Sequence, residues 1–549
     1  MNGLFATCCC TPEGQASGVT TSVPVSEDPK SAEIILAGSD ADPGGASFEF
    51  PGLEPIDLPV AEAAEIAPPE VAKVADPPAQ AETESIFRSA QGRQGATRSK
   101  GGPPIIVLVN PKSGGNAAGV LLTLPRDGLL VEVPGSGEKA TVFTYPIADA
   151  SKEGVKHLAM EVCAASEGEG ADPIRCIVAG GDGTVMWAIQ EIFEAHIPVD
   201  RVLVGTIPFG TGNDFGNVTK WGTSGPGKGF LKEADGFSGM RGYVRAWLRA
   251  DAAPYDIWEF SVQTRSSENA RFEFIEGGRK ACTEKHIARH AIRRLSGGEL
   301  EMSKYVCNYV GFGLDARVGF GFDKLRQQNR AMNKGVYVWE GIKKLLFKKK
   351  GVIGHIVDSM QVLPSSSSIG AARDGHGVVD KPAPADAPVV FSTSQAAPPE
   401  TPQLAGNPVS LLFLNIPSIS GGLDIWKWST RKLGTSSDDK DLLAVRQDFG
   451  DGRLECLSYR TGAGFYLEQA RTPPISGQGN RIYSGAGPLR INFRSPADAE
   501  YVKGTKHCKG RTYMQIDGEF FSVHEPESVV IKHHASIRVI LNSEVKACC

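Results

Sequence analysis

Nine residues constrain this chain more than any others: Ile177-Val178-Ala179-Gly180-Gly181-Asp182-Gly183-Thr184-Val185. A short apolar run stops at a glycine-rich polar turn, and a helical pattern follows with apolar residues at Val185, Ile189, Ile192 and Phe193. Strand, glycine turn and helix in that order is how an α/β fold presents backbone N–H groups to a phosphate. Glycine at 180, 181 and 183 lets the main chain approach a ligand with no Cβ in the way. Asp182 sets a carboxylate where a magnesium-bound nucleotide needs one. Taken alone, the turn also fits an ordinary loop with an Asp cap. Its neighbours decide between the two.

Two further apolar runs end in the same manner. Ile105–Val109 reads as a fully buried parallel strand and leads into Asn110-Pro111-Lys112-Ser113-Gly114-Gly115-Asn116. This is not a Walker A loop, because the G-x-x-x-x-G-K-[ST] spacing is missing. Arg201–Ile207 leads into Pro208-Phe209-Gly210-Thr211-Gly212-Asn213-Asp214-Phe215. Between them lie a strand predicted at Thr141–Tyr145 and a helix with Val155, Leu158, Ala159, Val162 and Cys163 at helical spacing. In an open parallel sheet the carboxyl ends of the strands share one edge, where ligands bind. The three loops therefore converge, and together they predict a nucleotide site on an α/β fold with a parallel sheet.

Around this unit, residues 1–101 are rich in Ala, Pro, Glu, Ser and Gly, with no Trp or Tyr. Such a stretch buries too little apolar area to offset its ordering entropy, so a disordered tail is expected. It holds 15 acidic and 6 basic residues, while the whole chain carries a net charge of −5. Neither value suggests a nucleic-acid partner. No stretch reaches the ~18–20 apolar residues of a membrane span. The cysteines outside the ends show no C-x-x-C metal spacing, and a reducing, cytoplasmic setting is expected. Cys8, Cys9 and Cys10, with Cys548 and Cys549, form two terminal clusters that fit either S-acylation or unmodified thiols.

The α/β unit is expected over 102–256. Helix is predicted at 240–251 and strand at Tyr255–Phe260, which carries Asp256. Residues 257–541 read as a β-rich, sandwich-like unit with short strands at 305–315, Val409–Asn415, Leu442–Arg446, Leu454–Ser458, Pro488–Phe493, Thr512–Ile516 and Val529–Lys532. Two polar segments, 264–303 and 364–407, read as insertions, and 542–549 as a tail. The Lys-rich stretch Lys343–Lys350 fits an anionic bilayer surface or a solvated amphipathic helix. His533 and His534 lack metal-ligand spacing and read as surface residues.

The ordered set of motifs resembles the diacylglycerol kinase family of eukaryotic type, within the wider lipid kinases. The pieces are VNPKSGG (109–115), AGGDGTV (179–185), IPFGTGNDF (207–215), NYVGFGLD (308–315), GFDKLR (321–326), NKGVYV (333–338), NIP (415–417) and QIDGE (515–519). The zinc-binding C1 pattern and EF-hands that many members carry have no counterpart here. The resemblance implies ATP-dependent phosphorylation of the 3-hydroxyl of diacylglycerol at a membrane surface, with Mg²⁺, by a cytoplasmic, peripherally membrane-associated enzyme. It assigns Asn110, Lys112, Ser113, Gly181, Gly183, Thr184, Thr211, Gly212, Asn213 and Asp214 to the nucleotide, and Asp182 to the phosphate turn as the residue activity depends on most. Asp256 and Glu519 become the carboxylates facing the lipid hydroxyl, and Asp315 and Asp517 metal-network or structural residues. Kinases for sphingoid bases or ceramide share the nucleotide loops and stay open. A non-catalytic membrane adaptor fits less well, because it has no need of Asp182, Asp256 and Glu519 together.

Overall fold

The computed structural model describes Ile86 and residues 102–542, apart from 133–136, 166–171, 228–229, 233–236, 277–278, 282–290, 326–351, 365–386, 395, 405, 430–439, 470–477 and 507–509. The terminal cysteine clusters, Lys343–Lys350 and, except for Ile86, the predicted tail lie outside the described residues.

The first sheet begins with β1 (Pro104–Val109), every residue of which is buried. β2 (Leu129–Glu132) and β3 (Lys139–Pro146) follow, then helix α1 (Glu153–Ala165), β4 (Ile174–Gly180) and helix α2 (Asp182–Glu194). β5 (Val202–Pro208), the short helix α3 (Asp214–Val218), helix α4 (Ser238–Arg249) and β6 (Asp251–Thr264) complete this half. β1 runs parallel to β3 on one side and to β4 on the other, and β4 runs parallel to β5. Ile106, Leu108, Cys176 and Val178 pack with α1 and α2 on one face. Ile105, Val107, Ile177 and Ala179 pack with Met240, Val244 and Trp247 of α4 on the other. Apolar side chains on both faces are what a sheet covered by helices on two sides requires.

Chain order and sheet order disagree where β1 lies between β3 and β4, and that place matters. From β1 the chain steps outward to β3, then crosses back over β1 to β4 and continues to β5. The segment after β1 packs on the α4 face through Ala118 and Leu121. α2 packs on the opposite face through Val185 and Ile189. Loops that leave neighbouring parallel strands toward opposite faces open a crevice between them, the switch point where open α/β sheets bind ligands.

The second half adds β7 (Arg271–Glu276), β8 (Arg279–Ala281), β9 (Ile292–Arg294), β10 (Leu300–Val306) and β11 (Tyr309–Gly313), followed by helix α5 (Leu314–Asp323). β12 (Val357–Val362), β13 (Val389–Ser392), β14 (Ser410–Leu414), β15 (Leu454–Tyr459) and β16 (Gly479–Gly485) come next. β17 (Leu489–Phe493), β18 (Arg511–Ile516), β19 (Glu519–His524) and β20 (Pro526–Leu541) end the described fold. An antiparallel second sheet has the order β16-β15-β14-β11-β18-β19-β7-β8. It packs face to face on the extension of the first sheet, where Trp258, Phe260 and Val262 of β6 meet Phe312, Phe413, Met514 and Phe521. This is the expected sandwich.

Several expectations need correction. The first sheet does not stop at residue 256: β6 runs on to Thr264 and pairs along its length with β20, whose Arg538 and Val539 also pair with β5. The segment 264–303 is not a surface insertion, since β7 extends the second sheet beside β19 and β10 pairs with β6. Phe272, Phe274, Leu300 and Met302 are core residues despite their polar neighbours. Of the segment 364–407, β13 is an edge strand of the first sheet. Leu442–Arg446 is not a strand; Lys440–Ala444 forms a short helix, in keeping with its Leu and Ala.

Trp258 is buried completely and its indole N–H donates to Asn415 Oδ1 at 2.8 Å. Trp258→Ala is expected to lower unfolding stability by about 3–5 kcal/mol through cavity formation and an orphaned amide oxygen. Urea denaturation checks this, and a loss under about 1 kcal/mol would contradict the packing described.

Candidate active site

The three glycine-rich loops meet at the carboxyl edge of the parallel strands. Register sets their common level: Val109 lies opposite Ala179, and Gly180 opposite Pro208. Asn110 N–H donates to Ala179 O at 3.0 Å and Phe209 N–H to Gly180 O at 2.8 Å, so each loop begins where a ladder ends. Asn110 Nδ2 donates to Thr184 Oγ1 at 3.1 Å and joins the first loop to the second. A Cβ on Gly181 would stand 2.8 Å from Gly210 Cα, and one on Gly210 would overlap Gly181 Cα, so the second and third loops touch backbone to backbone. Only glycine permits that approach. Gly183 differs, with nothing outside its own turn of helix within 4 Å of its would-be Cβ.

Asp182 opens α2, and its carboxylate turns toward the third loop. Oδ1 accepts from Phe215 N–H at 2.9 Å and Oδ2 from Asp214 N–H at 3.2 Å. Burial first, then the Asp214 carboxylate and more weakly Asp517, raise the Asp182 pKa above the ordinary carboxylate range. Asp214 is itself buried and shifted upward by burial, although Ser418, Gly421, Gly422 and Tyr309 donate to its oxygens. Lys112 is exposed on the first loop, and its N–H closes a turn onto Asn110 Oδ1 at 3.2 Å. Asn213 takes a left-handed conformation and donates through Nδ2 to Gly210 O and Thr223 O, holding the third loop in shape. Ser113, Thr211 and Gly212 lie on the same loops, with the would-be Cβ of Gly212 only 3.2 Å from Asp182 Oδ2.

The carboxylates assigned to the acceptor side are placed differently from expectation. Asp256 is fully buried. It accepts from His533 Nε2 at 2.8 Å, from Gly452 N–H at 2.6 Å and from Ser536 Oγ. Burial opposes its charge, but the three donations outweigh it and lower the pKa. Buried completely, Asp256 ties β6 to His533 and Ser536 of β20 and to Gly452. His533 and His534 are exposed, as expected of surface residues, yet the His533 ring also holds Asp256, and His534 packs against Phe193 and Tyr305. Glu519 is exposed and pairs with Lys304 at 2.5 Å.

Asp517 is tied to the third loop through Tyr309, whose N–H it accepts and whose hydroxyl donates to Asp214. It stands at the β18–β19 turn with φ of 48°, accepting Cys307 N–H at 2.9 Å, Asn308 N–H at 2.8 Å and Tyr309 N–H at 2.9 Å. Those bonds explain why the single strand expected at 305–315 breaks between β10 and β11. Asp315 sits apart, at the start of α5 beside Gly311, Ser410 and Gln515, and burial pushes it up to about 7. Asp315 and Asp517 are held by separate partners, and among the described residues no three His, Cys, Asp or Glu side chains are grouped to hold a metal. Tyr309 and Ser418 were not singled out from the sequence. The Gly421-Gly422 pair just after a buried strand was the available signal.

Gly210→Ala is expected to lower any nucleotide-dependent activity at least ~100-fold, because the loop must shift by about an ångström. Gly183→Ala, with open space around it, should leave thermal stability unchanged and weaken nucleotide binding alone; a drop in both would contradict this placement. Asp315 supplies a pH test. Its folded-state pKa is about 7 against an ordinary 3.8, so its contribution to stability is present below the lower value and lost as pH rises through the upper. Asp315→Asn should therefore gain on the parent chain between pH 4 and 7 and hold a constant difference above; a pH-independent difference in melting temperature would contradict the assignment.

Comparison with known proteins agrees with this geometry. The Diacylglycerol kinase catalytic domain model matches residues 104–233 and the Diacylglycerol kinase accessory domain model residues 305–520. Diacylglycerol kinase 1 of Oryza sativa subsp. japonica is 27% identical over 441 residues, covering 76% of this chain and 74% of the rice protein. Diacylglycerol kinase 2 of Arabidopsis thaliana is 26% identical over 368 residues, 66% of this chain and 38% of that protein. Diacylglycerol kinase theta of Mus musculus is 26% identical over 368 residues, 64% of this chain and 28% of its own length. The chain thus spans most of the rice relative and well under half of the other two. The two domain models match in succession and together take in more than half of the sequence: the chain belongs to the diacylglycerol kinase family.

Proposed function

We propose that this chain transfers the γ-phosphoryl group of ATP to the 3-hydroxyl of a diacylglycerol, releasing phosphatidic acid and ADP. One observation carries the reading. The glycine loops at the switch-point crevice and the β18–β19 turn are joined through Tyr309, whose N–H donates to Asp517 and whose hydroxyl donates to Asp214, the residue whose own N–H holds Asp182. Phosphoryl transfer needs positioning and charge neutralisation more than covalent help from the protein. The loops at Lys112–Gly114, Gly181–Thr184 and Thr211–Asn213 bind and orient the phosphates through backbone N–H groups, with the exposed Lys112 ammonium as a counter-charge. Asp517, tied to these loops through Tyr309, is the carboxylate this reading assigns to orient the lipid hydroxyl and accept its proton. Glu519, two residues on and exposed beside Lys304, is the carboxylate this reading assigns to the acceptor entrance.

Mg²⁺ fits the donor set. Each Asp182 oxygen accepts one backbone N–H and keeps a lone pair, and the adjacent carboxylates concentrate negative charge that a hard cation relieves. Bound with the nucleotide, it would neutralise phosphate charge. Asp182 is the residue to hold it, because Asp214 Oδ1 already accepts three donors.

The acceptor is a lipid, so the enzyme works at a membrane surface as a peripheral, cytoplasmic protein. Among the described residues no helix is long and apolar enough to cross a bilayer. Acylation of the terminal cysteines and the basic stretch at Lys343–Lys350 would supply surface affinity.

The test uses purified protein, labelled ATP, Mg²⁺ and mixed micelles holding diacylglycerol, sphingosine or ceramide. Label is expected in phosphatidic acid, with Asp182→Asn at least ~10³-fold slower. Label only in a sphingoid product, or equal turnover by Asp182→Asn, would contradict the reading.

A further inference from the structure

The Asp214 carboxylate belongs to the third nucleotide loop, yet its side-chain partners come from the second half of the chain. Oδ1 accepts from Ser418 Oγ at 2.6 Å, Gly421 N–H at 2.8 Å and Gly422 N–H at 3.2 Å, and Oδ2 from Tyr309 OH at 3.3 Å. Asp214 is only 1% exposed. The donating segment is built to hold this arrangement. Ile419 and Leu423 exchange backbone hydrogen bonds at 3.0 and 3.1 Å, closing a turn in which Ser420, Gly421 and Gly422 all have positive φ. The turn directs the Gly421 and Gly422 N–H groups at the one Asp214 oxygen. Upstream, Asn415 N–H donates to Asn308 O at 2.9 Å, and Ile416 is buried in the α1–α2 core. Asn217 Nδ2 of α3 donates to Ser418 Oγ at 3.3 Å, and Gly212 O lies 3.4 Å from the would-be Cβ of Gly421. Both sides of Asp214 are therefore covered by the segment.

We propose that Ser418–Gly422, with Tyr309, is a latch by which the accessory half positions the third nucleotide loop through Asp214. The latch rests on the kinase reading above and assigns its residues a positioning role, not contact with substrate. Asp214 and Phe215 N–H groups in turn hold the Asp182 carboxylate, so a shift of the latch passes to the phosphate turn. Asp214 thereby becomes a structural anchor within the nucleotide loop, with its oxygens occupied by protein donors. The same contacts make nucleotide affinity depend on a segment that lies beyond the catalytic-domain match at 104–233.

Ser418→Ala removes one hydrogen bond to a charged acceptor. It is expected to weaken binding of a non-hydrolysable ATP analogue about 10-fold by calorimetry, and to raise KM for ATP similarly with a smaller change in kcat and none in KM for the lipid. Ser418→Thr, which restores the hydroxyl, should recover most of the affinity. In an Asp214→Asn background, Ser418→Ala should add much less than it does alone. Tyr309→Phe, which loses only a 3.3 Å contact, should cost about 3-fold and carries the test if Ser418→Ala does not fold. Unchanged nucleotide affinity in folded Ser418→Ala, or in Tyr309→Phe where the first does not fold, overturns the latch. Failure of diacylglycerol phosphorylation with intact ATP binding would overturn the acceptor reading separately, because the analogue titration does not involve the lipid.

Discussion

The fold depends on the long antiparallel ladder between β6 and β20. β20 is 16 residues long and lies between the parallel β5 and the antiparallel β17, so one sheet runs from the nucleotide half into the accessory half without a seam. A strand from the far end of the chain therefore completes the sheet that begins at Pro104. The β18–β19 turn carrying Asp517 leads through β19 into this strand. The buried Asp256 carboxylate, bonded to His533 and Ser536 of β20, fastens the ladder near its bulge at His533–Ala535. A buried carboxylate with its donors supplied is stable, and removal of one partner leaves an uncompensated charge.

Negative charge is crowded in the crevice, and the structure distributes its compensation unevenly. Asp214 receives four donors and Asp517 three backbone N–H groups, whereas Asp182 receives two. The least satisfied carboxylate is the one on the phosphate turn, where a cation and a nucleotide would supply the rest. Donor count thus sets Asp182 apart from aspartates that look like it in sequence. Dipoles fixed before a ligand arrives act without reorganisation at the moment of reaction.

The nucleotide half was legible because its signals are local. Three apolar runs ending in glycine turns at Asn110, Gly180 and Gly210 report strand burial and loop chemistry within a few residues each, and all three loops are where that pattern puts them. Long-range pairings leave no such local trace. Nothing near Asp256 shows that His533 and Ser536 will occupy its oxygens, so a carboxylate that looked available is internal. Polar composition concealed β7 and β10, since their inward positions at Phe272, Phe274, Leu300 and Met302 are spaced by charged residues that face outward or pair. Asp517, offered by the resemblance as a metal-network or structural residue, is held by N–H groups of residues 307–309, about 210 positions away, which no local signal reports. Ser418 escaped notice because its role is defined by an acceptor 204 residues away.

The central claim is that the glycine loops and the Asp517 turn form one site where a nucleotide phosphate and a lipid hydroxyl meet. A crystal structure with a non-hydrolysable ATP analogue and a short-chain diacylglycerol tests it most directly. The account predicts the terminal phosphate on the Gly181–Thr184 turn and the lipid hydroxyl between it and the Asp517 carboxylate. A nucleotide bound away from these loops, or a hydroxyl directed elsewhere than Asp517, would contradict it.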